Sequence, residues 1–148
     1  FCEKFPQFIF HIFGGPVPEK FEKLRMYKNC IFHGFFSNPD DLPKIYSKID
    51  LVLSTYDVKF ENVRYAEPNK IYESIYFETP IIVSSGTFLS EKVDKLKIGY
   101  SINPLDDSEI VEFIKSLTKE DILKKSQNAA KIDKRECLNV NDEFFLKL

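Results

Sequence analysis

Residues 51–85 open with Leu51-Val52-Leu53-Ser54-Thr55 and run through a polar stretch from Tyr56 to Glu67. They continue as Pro68-Asn69-Lys70-Ile71-Tyr72-Glu73-Ser74 to Phe77, and close on Pro80-Ile81-Ile82-Val83-Ser84-Ser85. The two apolar, β-branched runs are too short for helices and are bounded by breakers, so each reads as a buried strand. Pro68 opens a helix, because a proline in the first turn forfeits no hydrogen bond. The stretch is therefore strand, loop, helix, strand: one unit of a parallel sheet. At about twelve residues the loop is long for such a connection, and loops of that length in compact domains are often functional.

The same alternation extends both ways. Upstream lies a strand at Phe8–Phe13, stopped by Gly14-Gly15-Pro16, then a helix over Glu19–Tyr27 and a strand at Cys30–His33 closed by Gly34. Asn38-Pro39 makes a turn, Asp41 suits an N-cap, and Leu42, Ile45, Tyr46 and Ile49 form a buried stripe. Downstream come a helix over Phe88–Leu96, a strand at Gly99–Ile102, and a helix capped by Asp106 or Asp107 that carries Ile110, Phe113, Ile114 and Leu117. A helix over Glu120–Ile132 and a short one within Asn139–Leu148 complete the reading. The fold class is α/β: a Rossmann-like open parallel sheet of about five strands with helices on both faces. Residues 1–148 read as a single domain. Such sheets bind ligands at the carboxyl ends of their strands, which singles out the loops at 14–18, 34–38, 56–67 and 84–87.

Composition sets the outer bounds. The chain has 148 residues, 43% hydrophobic and 30% charged, which suits a globular domain with a real core. A formal net charge of −2 argues against nucleic acid as a partner. No apolar run approaches the roughly 20 residues of a membrane helix. Three scattered cysteines, Cys2, Cys30 and Cys137, form neither a disulfide framework nor a metal motif and read as reduced thiols, with Cys30 in the core. The opening Phe1-Cys2-Glu3-Lys4 is neither a signal peptide nor an initiator start, which suggests a piece of a longer protein. The fifteen Phe read as core, His11 and His33 as core or rim residues, and the lysines of 92–97 and 119–125 as solvated helix faces.

The sharpest candidate site is Glu67-Pro68-Asn69-Lys70-Ile71-Tyr72-Glu73, a helix start at the mouth of the sheet. The amides of Asn69 and Lys70 precede the helical ladder and suit a phosphate. Glu73 lies one turn inside, on the face of Asn69 and Lys70, where a carboxylate can accept hydrogen bonds from a ribose diol. The plainer reading is a surface helix with a Lys70–Glu73 ion pair. Ser84-Ser85-Gly86-Thr87 ends a strand on the ligand side, so Ser85 and its neighbours are further phosphate candidates. No residue is assigned as catalytic and none as a metal ligand.

The stretch Pro68–Ser74 followed by Glu78-Thr79-Pro80-Ile81-Ile82-Val83 resembles the "P-x-K-x-x-E-y…G-x-P-v-i" signature of retaining, family-four-like glycosyltransferases of the GT-B fold, enzymes of surface polysaccharide synthesis. Asn29–Gly34 resembles "n-v-x-f-x-G". Tyr46 with Asp50–Ser54 resembles "y-x-x-x-D-v-x-v-x-p-s", and Gly99–Asp106 the late "G-x-x-v-x-p-x-d". The resemblance covers residues 5–118 in one unbroken order. It implies the C-terminal, donor-binding half of a two-domain enzyme, taking a nucleoside-diphosphate sugar, UDP above all, for transfer to a glycan or lipid-linked acceptor held by the other half. By the same resemblance Glu73 holds the donor ribose, Asn69 and Lys70 approach the diphosphate, and Phe35 meets the base. No metal cofactor is implied, since amides and basic side chains offset the leaving charge. A cytoplasmic location follows, with peripheral association at the inner face of the cell membrane as a further option.

The chain departs from the pattern in places. The first member of the family's glutamate pair would fall at Tyr65, so Arg64, Tyr65 and Glu67 become candidates for its contact to the donor sugar. Thr79 sits where relatives usually have glycine. The family's first strand in this domain, its basic residues and the acceptor domain would lie upstream of Phe1. A nucleotide-sugar epimerase uses two such domains and is the nearest alternative, which product analysis would separate. A non-catalytic glycosyltransferase-like binding domain is another. A receiver-type signalling module fits poorly, since Asp57 follows the third strand but the acidic pair and the lysine it needs are missing.

Overall fold

The computed structural model describes residues 1–137 and forms two compact units, one spanning Phe1–Ile49 and one from Asp50 onward. The expected helix at 139–148 lies outside the described residues.

The first unit holds β1 (Phe10–Phe13), α1 (Glu19–Glu22), a 3-10 turn (Lys23–Met26), β2 (Cys30–Gly34) and α2 (Leu42–Tyr46). Strands β1 and β2 run parallel, with Phe10 beside Cys30, His11 beside Ile31 and a register shift between Ile12 and Phe13. Cys2, Phe5 and Cys30 are buried together with Leu42, Ile45 and Tyr46. Asn29 pins the N-terminal turns, its Nδ2 donating to the carbonyls of Cys2 (3.0 Å), Phe5 (3.3 Å) and Phe8 (3.0 Å). Asp41 precedes α2 but does not cap it. Its carboxylate instead accepts from the Ser37 amide at 2.8 Å, closing the Asn38-Pro39 turn. The helix expected over Glu19–Tyr27 tightens after one α-turn into 3-10 geometry.

The second unit holds β3 (Val52–Ser54), α3 (Glu61–Tyr65), α4 (Lys70–Tyr76), β4 (Ile81–Ser84), α5 (Phe88–Leu96), β5 (Gly99–Ile102), α6 (Asp107–Ser116) and α7 (Lys119–Ala129). Its parallel sheet runs β3-β4-β5, with Val52, Ile81 and Gly99 side by side. Neighbouring parallel strands in chain order put their right-handed crossovers on one face. Val93 of α5 lies against that face at Ile81 and Gly99. The other face carries Tyr100, met by Phe113 of α6 edge-on at 5.1 Å and by Lys125 of α7 at 4.4 Å. Helices thus cover both faces, as expected. The core is aliphatic: Ile71, Ile81, Val83, Val93 and Ile98 are fully buried.

Three expectations change. Among the described residues the five parallel strands form a pair, β1-β2, and a triplet, β3-β4-β5, rather than one sheet. The loop at 56–67 contains the short helix α3. The phenylalanines are not the core: among the described residues only Phe5 is buried, while Phe1, Phe21, Phe35, Phe60 and Phe88 are exposed. Among the described residues no helix is long and apolar enough to cross a membrane.

Candidate functional site

At the carboxyl ends of β3 and β4 the second unit opens a cleft of about 270 Å3. Ser54, Ala66, Pro68, Ser84, Thr87 and Leu89 are among the residues that line it. Ser84 and Thr87 are spent on the fold. Ser84 Oγ accepts from the Tyr56 amide and donates to the Tyr56 carbonyl, both at 2.8 Å. Thr87 Oγ1 donates to the Ser84 carbonyl and accepts from the Ser90 amide, which caps α5. Those hydroxyls are therefore not available to a phosphate. Ser54 Oγ is buried with no hydrogen-bond partner among the described residues.

Helix α4 begins beside this cleft. Its first hydrogen bond, from the Ile71 amide to the Pro68 carbonyl at 3.2 Å, leaves the amides of Asn69 and Lys70 ahead of the ladder. Asn69 makes no side-chain cap. Lys70 Nζ contacts Glu73 Oε2 at 2.7 Å, with the Glu73 side chain only 12% exposed. Asn69, Lys70 and Glu73 are thus gathered in the first turns of one helix. Glu67, three residues before the first residue of α4, forms an ion pair with Lys92 of α5. Arg64 is tied back, its Nε donating to the Val58 carbonyl at 3.0 Å, while the Tyr65 side chain is 73% exposed. The half-buried Ser85 gives its amide to the Ile102 carbonyl at 2.7 Å. None of these candidates lines the cleft itself; their neighbours Pro68, Ala66 and Ser84 do.

Phe35 belongs to the first unit. It follows Gly34, whose φ of 76° suits glycine, and its ring lies over Gly15, so that a Cβ there would come within 3.2 Å of it. With 81% of its surface exposed, Phe35 is an aromatic platform at the carboxyl end of β2. On the same strand pair, His11 Nδ1 and His33 Nε2 are 2.8 Å apart, and the ring centres are 5.1 Å apart. Those two lengths put the rings end to end, joined by one N–H···N bond. Phe13 stacks on His33 at 4.2 Å. Burial, then His11 and Lys48, hold the His33 imidazole below its usual value.

Sequence reasoning missed two features. Lys92 is not a solvated lysine: it reaches Glu67 and sits over the Tyr72 ring at 4.8 Å. Burial, the largest single influence, would lower its pKa, but the Glu67 carboxylate and Tyr72 together outweigh it and hold the ammonium above its usual range. The position needing glycine's freedom is Glu78, with φ of 57°, not Thr79. Thr79 closes α4 instead, its amide donating to the Ser74 carbonyl at 2.9 Å beside the Glu78-to-Ile75 bond at 3.1 Å. A proline two residues after a left-handed cap was the available signal.

The model of the family "Glycosyl transferases group 1" matches residues 1–136. The chain belongs to that family. Its fold is that of a GT-B glycosyltransferase domain, and three solved structures carry the likeness. One is WaaG, a glycosyltransferase involved in lipopolysaccharide biosynthesis, at 18% identity and a TM-score of 0.66 over 85% of this chain and 35% of WaaG. The second is Alr3699/HepE from Anabaena in complex with UDP, at 18% identity and 0.65 over 97% of this chain and 42% of HepE. The same protein with UDP and glucose aligns at 17% identity and 0.65, over 99% of this chain and 42% of that one. The chain thus spans about two fifths or less of these enzymes' length. No curated protein sequence matches it.

Proposed function

We propose that this chain is the donor-binding half of a glycosyltransferase that takes a nucleoside-diphosphate sugar, UDP-linked, and passes the sugar to a glycan or lipid-linked acceptor bound elsewhere in the full protein. The observation that carries the reading is the first turn of α4, where Lys70 and the shielded Glu73 carboxylate sit together beside the cleft at the strand ends. The family match and the UDP held by HepE support it.

The chemistry follows from charge. Breaking the sugar–phosphate bond leaves negative charge on the diphosphate, and a cation fixed beside it lowers that barrier. Lys70, with the amides of Asn69 and Lys70, supplies the positive end. Glu73, whose Oε2 accepts from Lys70, is the carboxylate available to accept hydrogen bonds from the two ribose hydroxyls. Arg64, Tyr65 and Ser85 are the candidates beside these for the sugar and the phosphates. No metal is needed to offset the charge in this scheme. The reading puts the protein in the cytoplasm, at the inner face of the membrane when its acceptor is lipid-linked.

The test is a titration with UDP, GDP, ADP and UMP, following backbone amide shifts. One diphosphate is expected to bind, with shifts centred on residues 69–73. Glu73→Ala should weaken it about tenfold or more, the cost of a lost charge-assisted hydrogen bond. Silence toward all four nucleotides, in this chain and in the full-length protein, would remove the donor-binding reading.

A further inference from the structure

Helix α4 differs from the other helices of its unit that run to seven residues or more. Thr87, Asp106 and Thr118 cap α5, α6 and α7 with side-chain hydrogen bonds, whereas Asn69 gives α4 none. With a helix this short, the first turn is the part that frays. Something else has to hold it, and Lys92 is placed to do so. It rises from α5, contacts the Glu67 carboxylate just before Pro68, and lies over the ring of Tyr72 in the first turn. One side chain therefore grips the residue before the helix and a residue within it. The Lys92 and Glu67 side chains are 31% and 27% exposed, so the pair is shielded enough from water to matter more than a surface pair.

We propose that Lys92 is a positioning residue for the donor site: by clasping Glu67 and Tyr72 it fixes the turn that presents Asn69, Lys70 and Glu73. The inference rests on the donor-binding reading. It gives Glu67 a structural partner in place of a donor contact, and it gives α5 a part in nucleotide binding without touching the nucleotide.

The test measures the dissociation constant for UDP alongside the melting temperature. Lys92→Met keeps the stem over Tyr72 and removes the charge. Glu67→Gln removes the other half of the pair, and it decides the matter if Lys92→Met fails to fold. Each should weaken UDP roughly tenfold, as misplacement of a binding group does. In the unliganded chain each should move the amide signals of residues 69–73. Lys92→Arg should restore affinity, and so should the charge exchange Glu67→Lys with Lys92→Glu. If both single variants bind UDP like the unchanged protein, whatever their melting temperatures, the positioning role is overturned and the donor reading stands. If Arg and the charge exchange both fail to restore affinity, the role is likewise overturned. If the unchanged protein binds no nucleoside diphosphate, the donor reading falls and takes this inference with it.

Discussion

Glu78 and Lys97 are the two described non-glycine residues with left-handed backbone, at φ of 57° and 56°, and each ends a helix. An L side chain there costs roughly 1 kcal/mol that glycine does not incur. Lys97→Gly should therefore stabilise the chain by about 0.5–1 kcal/mol in urea unfolding. Glu78→Gly should do slightly less, since it also loses an exposed ion pair with Lys134 of small value. His33 makes the complementary point about protons. Its pKa lies below the usual histidine value, so the unfolded chain binds the proton first as pH falls. Stability contributed by the neutral ring is whole above pH about 6.5 and is lost progressively below it, down to the folded pKa. Melting curves between neutral and mildly acid pH should show His33→Gln losing less stability on acidification than the unchanged protein. Equal losses would mean that the His11–His33 pair does not set this dependence.

At the scale of elements, Gly99 decides how closely α5 can lie on the sheet. A Cβ there would fall 2.0 Å from the Ile81 carbonyl oxygen and 2.9 Å from Val93 Cγ1. Backbone cannot yield as a side-chain tip can, so Gly99→Ala should cost about 3 kcal/mol or prevent folding, read by urea unfolding. A cost under about 1 kcal/mol would mean the strand shifts freely. The elements themselves were legible where one local signal settled them. Helix α5 and strand β5 have the boundaries the sequence suggests, Phe88–Leu96 and Gly99–Ile102. Asp106 caps α6 as its position before the apolar stripe implies. The candidate site was legible as a segment only in that Asn69, Lys70 and Glu73 fall at the start of one helix whatever the rest of the fold does. What stayed hidden depends on contacts between segments: Lys92 finding Glu67, His11 finding His33 across neighbouring strands, and Asp41 turning back to Ser37. Hydrophobicity also misled on phenylalanine, because aliphatic residues at the strand centres filled the core first.

For the whole molecule, the hydrogen bonding of the strands is the governing fact. Among the described residues, a pair and a triplet of parallel strands leave β1 and β3, like β2 and β5, each with a single strand neighbour, and parallel sheets are stable when covered and paired. Apolar side chains on and beside these strands remain in water: Ile9 and Leu53 are 59% and 51% exposed. Covering each would contribute on the order of 1 kcal/mol at the usual value per unit of buried apolar area. WaaG and HepE are more than twice the length of this chain, and we expect a longer form of this protein to supply what pairs with these edges. Two measurements decide it. The full-length protein should melt several degrees higher than residues 1–148 alone, and amide protons of residues 52–54 should exchange more slowly in it. If hydrogen exchange at β3 is the same in both, the edge is natively open, and any extra UDP affinity of the longer chain would have to come from added ligand contacts rather than from a completed sheet.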